Sequence, residues 1–488
     1  MKTPKTTRCN LTCAGARIEG ANRLLLRLLR AGILSFAIHL PAQTFTTLYS
    51  FTALQNNTNS DGATPLAGLV SSGNTLYGAA DFGGPAGFGT IFSVNADGSS
   101  FTTLYSFTVF TNGVLPYKGV ILSSNALYGA AGGGPADNGT LFAVNTDGTD
   151  FRNLHSFSFE GRSGVLDTNA DGRDPNELIL SGSILYGSAT RGGTGGRGTI
   201  FRVNTDGTGF STLHSFSSNA SGGAAPEAGL VLSGSTLYGT ANDGGSGGQG
   251  TIFKVGIDGS GFTTVHNFTG IGTDGGFPRA PLIVFGKTFY GTTEGGGTFG
   301  NGTIFKLNID GTGFKTLHSF SAQQFGGTNT DGLFPGSALV LSGNALYGMA
   351  RGGGTWGLGT VFTLNTNGTG FTTLYSFSGG SDGRDPHSSL AVSGNTLYGT
   401  TDSGGDSEDG TIFSISLPTP PRLTITRLRG NVVLTWPTNA TGFTLQSTTN
   451  PVSPALWSTN SSAPTILNGQ NTVTNSMTGP QQFYRLTR

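Results

Sequence analysis

The sequence predicts an all-β protein: a seven-bladed β-propeller over residues 44–416, closed by an N-terminal outer strand and followed by a small β-sandwich-like domain over 422–488. Three observations carry that expectation. Glycine supplies 83 of 488 positions and proline 20, with no triplet period, and each glycine inside a helix costs about 1 kcal/mol, so long helices are disfavoured. Three short aromatic motifs recur in phase, seven times each, at a period of 50–59 residues. The phase is also shifted, so that the chain opens on the strand its last unit lacks.

The first motif, F-x-x-(L/V)-(Y/H)-(S/N)-F, begins at Phe45, Phe101, Phe151, Phe210, Phe262, Phe314 and Phe371. The second, (L/F)-Y-G, places Tyr77, Tyr128, Tyr186, Tyr238, Tyr290, Tyr347 and Tyr398, and the third, G-T-(I/L/V)-F, places Phe92, Phe142, Phe201, Phe253, Phe305, Phe362 and Phe413. Each is rich in aromatic and β-branched residues and bounded by Gly, Asn or Asp, the signature of a strand. A fourth apolar run, such as residues 229–233, precedes the Tyr-Gly strand through a tight turn. In chain order these strands are A (the apolar run), B (Tyr-Gly), C (Gly-Thr) and D (the Phe-ended motif). Asp-Gly or Asn-Gly at 97, 147, 206, 258, 310 and 367 joins C to D and supplies the positive φ of a tight hairpin. Four antiparallel strands per unit of about 50 residues make a propeller blade. The repeats open on a D strand, Phe45–Phe51, and stop after a C strand near 410–416, so the seventh blade must borrow its outer strand from the N-terminus. That pairing leaves no open sheet edge, and a single chain suffices to complete the ring.

The ends differ from the body. Residues 1–43 carry a net +6 and run from basic to apolar (31–40) to Pro-Ala-Gln, the order of a cleaved export signal, so the mature protein is expected outside the cell or on its outer surface. Ten apolar residues are too few to span a membrane. Both cysteines, Cys9 and Cys13, lie in this segment, which leaves the mature chain without disulfide or thiol chemistry. A Pro-rich linker at 417–421 leads to residues 422–488, which hold five arginines and no acid. The formal net charge of zero therefore conceals a body of −11 between basic ends. With no basic excess over the repeats, nucleic acid is not an expected partner.

The full pattern, L-x-x-S-G-(S/N)-x-L-Y-G, then G-G, then G-T-I-F-x-V-N-x-D-G-T-G-F-x-x-L-H-S-F, resembles the GloVer tandem repeat of bacterial choice-of-anchor proteins, over about residues 44–416. The units also resemble kelch blades, with A innermost and D outermost. The resemblance implies a secreted propeller and brings no catalytic residues. The C-terminal segment resembles a small fibronectin-III or immunoglobulin-like module with Trp436 in its core.

Most chemistry-bearing residues fall at repeat positions. His155, His214, His266 and His318 share one position on the outer strand and are expected to point outwards around a rim, where they cannot converge on one ion. Asp167, Asn169, Asp171 and Asp174 resemble an oxygen-ligand calcium loop, although Asp-Gly-x-x-Pro also recurs before the A strand at 61, 171, 274, 331 and 382 as turn chemistry. No other cofactor is implied. The B–C and D–A loops share one face and vary in length, and they carry the non-repeated Trp356, Arg351, Phe299, Arg191, Arg197 and Phe88. The expected function is a non-catalytic binding or adhesion scaffold that holds an extracellular glycan or protein on that face. A structural surface-layer component and an extracellular glycan-acting enzyme remain as alternatives.

Overall fold

The computed structural model describes residues 43–487, apart from positions 160, 164–165, 218, 271, 273, 325, 419–421, 429, 439–442, 452–456, 460–462 and 477–480. The expected export signal with both cysteines lies outside the described residues. Among those residues every regular element is a strand except one 3-10 turn, Phe110–Asn112. None forms a helix long and apolar enough to cross a membrane. The fold is all-β and β-propeller-like, as the motifs require.

Seven sheets share one plan, in which A, B, C and D pair antiparallel in that order. In the fourth contiguous unit they are Val231–Ser233, Thr236–Ala241, Thr251–Gly256 and Thr263–Asn267. One sheet breaks the chain order. Its A, B and C strands are Ala391–Ser393, Thr396–Thr401 and Thr411–Ser416, and its outer strand is Thr44–Ser50, with Thr44 opposite Ser416 and Ser50 opposite Thr411. Every D strand, including this one, carries the same bulge against its C strand.

The aromatic motifs are explained by what lies between sheets. The first Phe of each D strand stacks on the Tyr or His of the preceding D strand, with ring centroids 3.6–4.1 Å apart: Tyr49 on Phe101, Tyr105 on Phe151, His155 on Phe210, His214 on Phe262, His266 on Phe314, His318 on Phe371. The series then returns to its start, Tyr375 on Phe45 at 3.9 Å. Each such pair adds about 0.5–1.5 kcal/mol beyond the area it buries. The histidines therefore do not project from a rim; they are part-buried joints between neighbouring sheets. A flat imidazole replaces a phenol there because both present a π face to the phenylalanine.

Two glycines of the motifs are required by close approach. A Cβ on Gly239 of the Tyr-Gly pair would meet Phe253 at 2.6 Å and Leu230 at 2.8 Å. A Cβ on Gly250 of the Gly-Thr pair, at φ +95°, would meet Pro278 of the next unit at 2.6 Å. The same glycine-on-proline contact recurs from unit to unit and closes with Gly410 on Pro65, also at 2.6 Å.

Residues 424–487 form two further sheets, one of four strands and one of three. They share a core of Leu434, Trp436, Leu445 and Val473, with Trp436 only 2% exposed.

Candidate functional site

Strand order brings the D–A turns and the B–C loops to one end of every sheet. Bridges confirm it locally: Ala63 pairs with Phe82, Leu333 with Gly352 and Arg384 with Ser403. Each D–A turn also reaches the neighbouring unit. The residue before its proline donates its N–H to the previous unit's B–C loop, as Leu115 to Phe88 O at 2.9 Å, Phe277 to Gln249 O at 2.8 Å and Thr64 to Asp409 O at 2.8 Å. That residue is never glycine, yet in all seven turns it is left-handed: Thr64, Leu115, Asp174, Ala225, Phe277, Phe334 and Asp385 have φ between 51° and 59°. Such a conformation costs on the order of 1 kcal/mol or more, and it persists where surroundings over-determine it.

The strained turn aims the next one or two residues, just past the proline, into a central pocket of about 180 Å³ lined by all seven units. Lys118, Glu177, Glu227, Arg279 and His387 supply its acidic and basic groups, and Tyr117, Ser337, Ser388 and small or aliphatic residues complete it. Arg279 Nε lies 3.2 Å from Glu227 and 3.0 Å from Glu294, so the guanidinium is held by two carboxylates. Asn242 donates to the other Glu227 oxygen at 3.2 Å. Lys118 Nζ donates to the Glu227 carbonyl at 3.2 Å and sits 5.4 Å from the Tyr117 ring centroid. Among the described residues neither Lys118 nor Glu177 has an ion-pair partner.

Perturbed titration marks the same place. Burial lowers the Lys118 ammonium against the pull of Glu177 and Glu227. Burial raises the Glu177 carboxyl, opposed by Lys118. His387 is pushed down to about 4 by burial and by the charges of Arg351, Lys118 and Arg279, so its imidazole is neutral near pH 7. Asp81, in electrostatic reach of Lys118, is held well above the carboxylate range by burial and by Asp402, and its Oδ1 has no hydrogen-bond partner. Asp402 is raised by burial and by Asp385. Displaced pKa values converging on a concave site are the physical mark of a functional candidate.

The loop residues singled out from sequence fall on the same face but differ in access. Trp356 is 61% exposed and Phe299 55%; Arg351 and Arg191 are exposed, the latter 3.6 Å from Asp174. Phe88 instead packs against the Phe107–Phe142 cluster, and Arg197 is part-buried with its Nε unpartnered. Of the eight exposed aromatics among the described residues of 44–416, seven lie on this face, Phe285 being the exception.

In the suspected calcium loop, Asn169 spends its side chain on Ser158 O, Gly172 O and the N–H groups of Gly172 and Gly193. Asp171 accepts from Ser158 and contacts His155 at 3.0 Å, while Asp174 faces Arg173 and Arg191. The Asp167 side chain lies outside the described residues, and no group of three acids, histidines or cysteines that could hold a metal ion is found among those described.

No recurring motif marks the pocket residues. Their signal was the opposite one: after the turn proline the seven units carry Leu66, Tyr117, Asn176, Glu227, Arg279, Gly336 and His387, seven different residues in an otherwise repetitive unit.

No curated protein matches the chain. Among solved structures, a puromycin-hydrolyzing peptidase of Mycobacterium tuberculosis is 13% identical with a TM-score of 0.47, over 80% of this chain and 62% of that one. The computationally designed Ika8 protein is 15% identical with a TM-score of 0.42, over 74% and 98%. An oligogalacturonate lyase in complex with manganese is 11% identical with a TM-score of 0.41, over 78% and 97%. The Gloeobacter/Verrucomicrobia repeat matches three times, over residues 31–173, 164–335 and 272–449. Those matches cover the strands, turns and pocket just described, and the chain belongs to the Gloeobacter/Verrucomicrobia repeat family.

Proposed function

We propose that the seven sheets are the blades of a closed seven-bladed propeller, exported from the cytoplasm, that binds glycan on its loop face without catalysis. Closure is supported by three series that run round all seven units and return to the first: the ring stacks, the turn-to-loop hydrogen bonds and the glycine–proline contacts. The two-sheet C-terminal unit is a β-sandwich of fibronectin-III type joined by the Pro-rich linker.

One observation carries the glycan reading. Among the described residues of the seven sheets and their loops, every exposed aromatic but Phe285 lies on the face that also holds the mixed-charge pocket. Exposed apolar groups concentrated on one face of a soluble protein mark a binding site. Flat rings with hydrogen-bonding neighbours suit sugars, which offer an apolar face and a polar edge. Binding of wild type and Trp356→Ala to a glycan array, with a peptide array alongside, tests it. Glycan signal reduced at least 5-fold by the substitution is expected; equal signal removes Trp356 from the site, and peptide capture alone refutes the glycan.

A glycan-cleaving enzyme is favoured by a single feature, the raised carboxyls of Asp81, in electrostatic reach of the pocket's Lys118, and of Asp402, whose charge helps to raise Asp81. Release of new reducing ends from any polysaccharide bound by the wild type, lost in Asp81→Asn, is the result that selects it.

A further inference from the structure

We infer that the central pocket is an end-binding site: it admits one terminal sugar ring of a linear glycan, inserted along the propeller axis. The inference rests on the glycan reading above and adds what the pocket recognises.

Size sets the first limit. At about 180 Å³ the pocket is smaller than the roughly 300–1,000 Å³ clefts that hold drug-sized ligands, a scale that suits a single sugar ring. A linear polymer can reach such a pocket only by its end.

Charge sets the second. The formal charges of Lys118 and Arg279 balance those of Glu177 and Glu227, and His387 is neutral. The pocket thus has no net preference for an ion. Arg279 and Glu227 are already engaged with each other and Lys118 spends one N–H on the Glu227 carbonyl, which leaves the remaining Lys118 N–H groups and the Glu177 carboxyl, on adjacent blades, without an ion-pair partner among the described residues. Ring hydroxyls donate and accept at once and so satisfy both. Desolvating that pair without a partner is costly, and the displaced pKa values of both groups record the cost.

The third limit is asymmetry. The charged groups belong to four consecutive blades, while Gly336, Ser337, Ser388, Ala67 and Leu66 line the remaining arc. A Cβ added at Gly336 meets nothing within 4 Å, so space stands open on that side. A planar-edged ring with its hydroxyls towards Lys118 and Glu177 fits this division. Successive sugars of the chain would then leave over the exposed Trp356 and Phe299.

The test uses the full-length protein and titration against linear and cyclic glucans (maltohexaose with α-cyclodextrin, linear β-glucan with cyclic β-glucan), together with linear xylohexaose and mannohexaose. Wild type is expected to bind at least one linear glycan, and any linear glucan it binds at least 10-fold more tightly than the cyclic counterpart, which has no end. Gly336→Phe, which fills the open side, and Lys118→Met are each expected to weaken linear binding 10-fold or more. Trp356→Ala weakens it while keeping the preference for linear over cyclic. Equal affinity for linear and cyclic forms overturns end-binding, as does wild-type affinity in Gly336→Phe with an unchanged thermal midpoint; both leave the glycan reading intact. No binding to any glycan by wild type removes that reading and this inference together.

Discussion

At the residue scale, the aspartate of the D–A turn is more than turn chemistry. Its carboxylate accepts from the hydroxyl and N–H of a Ser or Thr just past the D strand and meets the stacked ring: Tyr49 on Asp61 at 2.7 Å, His155 on Asp171 at 3.0 Å, His318 on Asp331 at 2.9 Å, Tyr375 on Asp382 at 2.9 Å. Burial alone would raise Asp171, Asp274 and Asp331, but hydrogen bonds from the Ser or Thr, together with the histidine (bonded to Asp171 and Asp331, 3.6 Å away at Asp274), outweigh it and hold each below the usual value. A carboxyl lowered in the folded state stabilises above its unfolded pKa and loses that contribution as pH falls through the folded value. Asp331→Ala is therefore expected to cost about 1–3 kcal/mol at pH 7 in urea unfolding, with the difference from wild type shrinking below about pH 4. His214 is the exception that tests the latch. Its unit carries Gly222 where five others carry the aspartate, and burial pushes the imidazole down to about 4. The unfolded chain then takes up a proton near pH 6.5 that the folded chain refuses until about pH 4, so stability falls as pH drops across that window, and His387 adds to the same slope. His214→Tyr, the residue used in three other units, should lose less stability between pH 7 and 5 than wild type; an identical loss would show that His214 titrates normally.

At the element scale, the D–A turn explains the spacing Asp-Gly-x-x-Pro as a whole. The aspartate latches the outer strand, the glycine takes a positive φ of 88–111° at Gly62, Gly172, Gly332 and Gly383, the left-handed residue ties the turn to the previous sheet, and the proline packs on that sheet's glycine. Side-chain removal is thus costly and side-chain addition more so. Gly250→Ala, with φ +95° and a Cβ at 2.6 Å from both Ala241 O and Pro278, is expected to destabilise by about 2–5 kcal/mol. Gly234→Ala, also at positive φ (61°) but with open space around its Cβ, should cost only about 1 kcal/mol. Similar losses in denaturant unfolding for the two would show that backbone conformation, not the joint between sheets, makes the motif glycine. The strand and turn assignments were legible because period-two aromatic runs and Gly-Asp punctuation are local. The joint itself was not, since nothing in G-T-I-F says that a proline of the next unit lies on its glycine.

For the whole molecule, strength depends on the first strand. Thr44–Ser50 is the outer strand of the last sheet, and Phe45 both stacks on Tyr375 and lies 5.3 Å from Phe413. Deleting residues 43–51 removes that sheet's D strand and bares the edge at 411–416, a template for pairing with other chains. The truncated protein is expected to self-associate on size-exclusion chromatography, and a peptide of residues 43–52 added during refolding should restore the monomer. A truncated chain that stays monomeric and unfolds at the wild-type midpoint would mean that the strand does not close the ring.

The repeats determined by themselves the all-β class, the number of sheets and the strand each begins with, because hydrophobic period, turn residues and repeat phase are written along the chain. They could not place Glu177 beside Lys118, or set Asp81 against Asp402, since those pairs lie 59 and 321 positions apart and meet only through the arrangement of separate sheets. Repetition conceals such a site: the residues that stabilise each unit recur, whereas Lys118, Glu177, Glu227, Arg279 and His387 each occur in one unit and acquire their shared chemistry only when the separate sheets gather them at one centre.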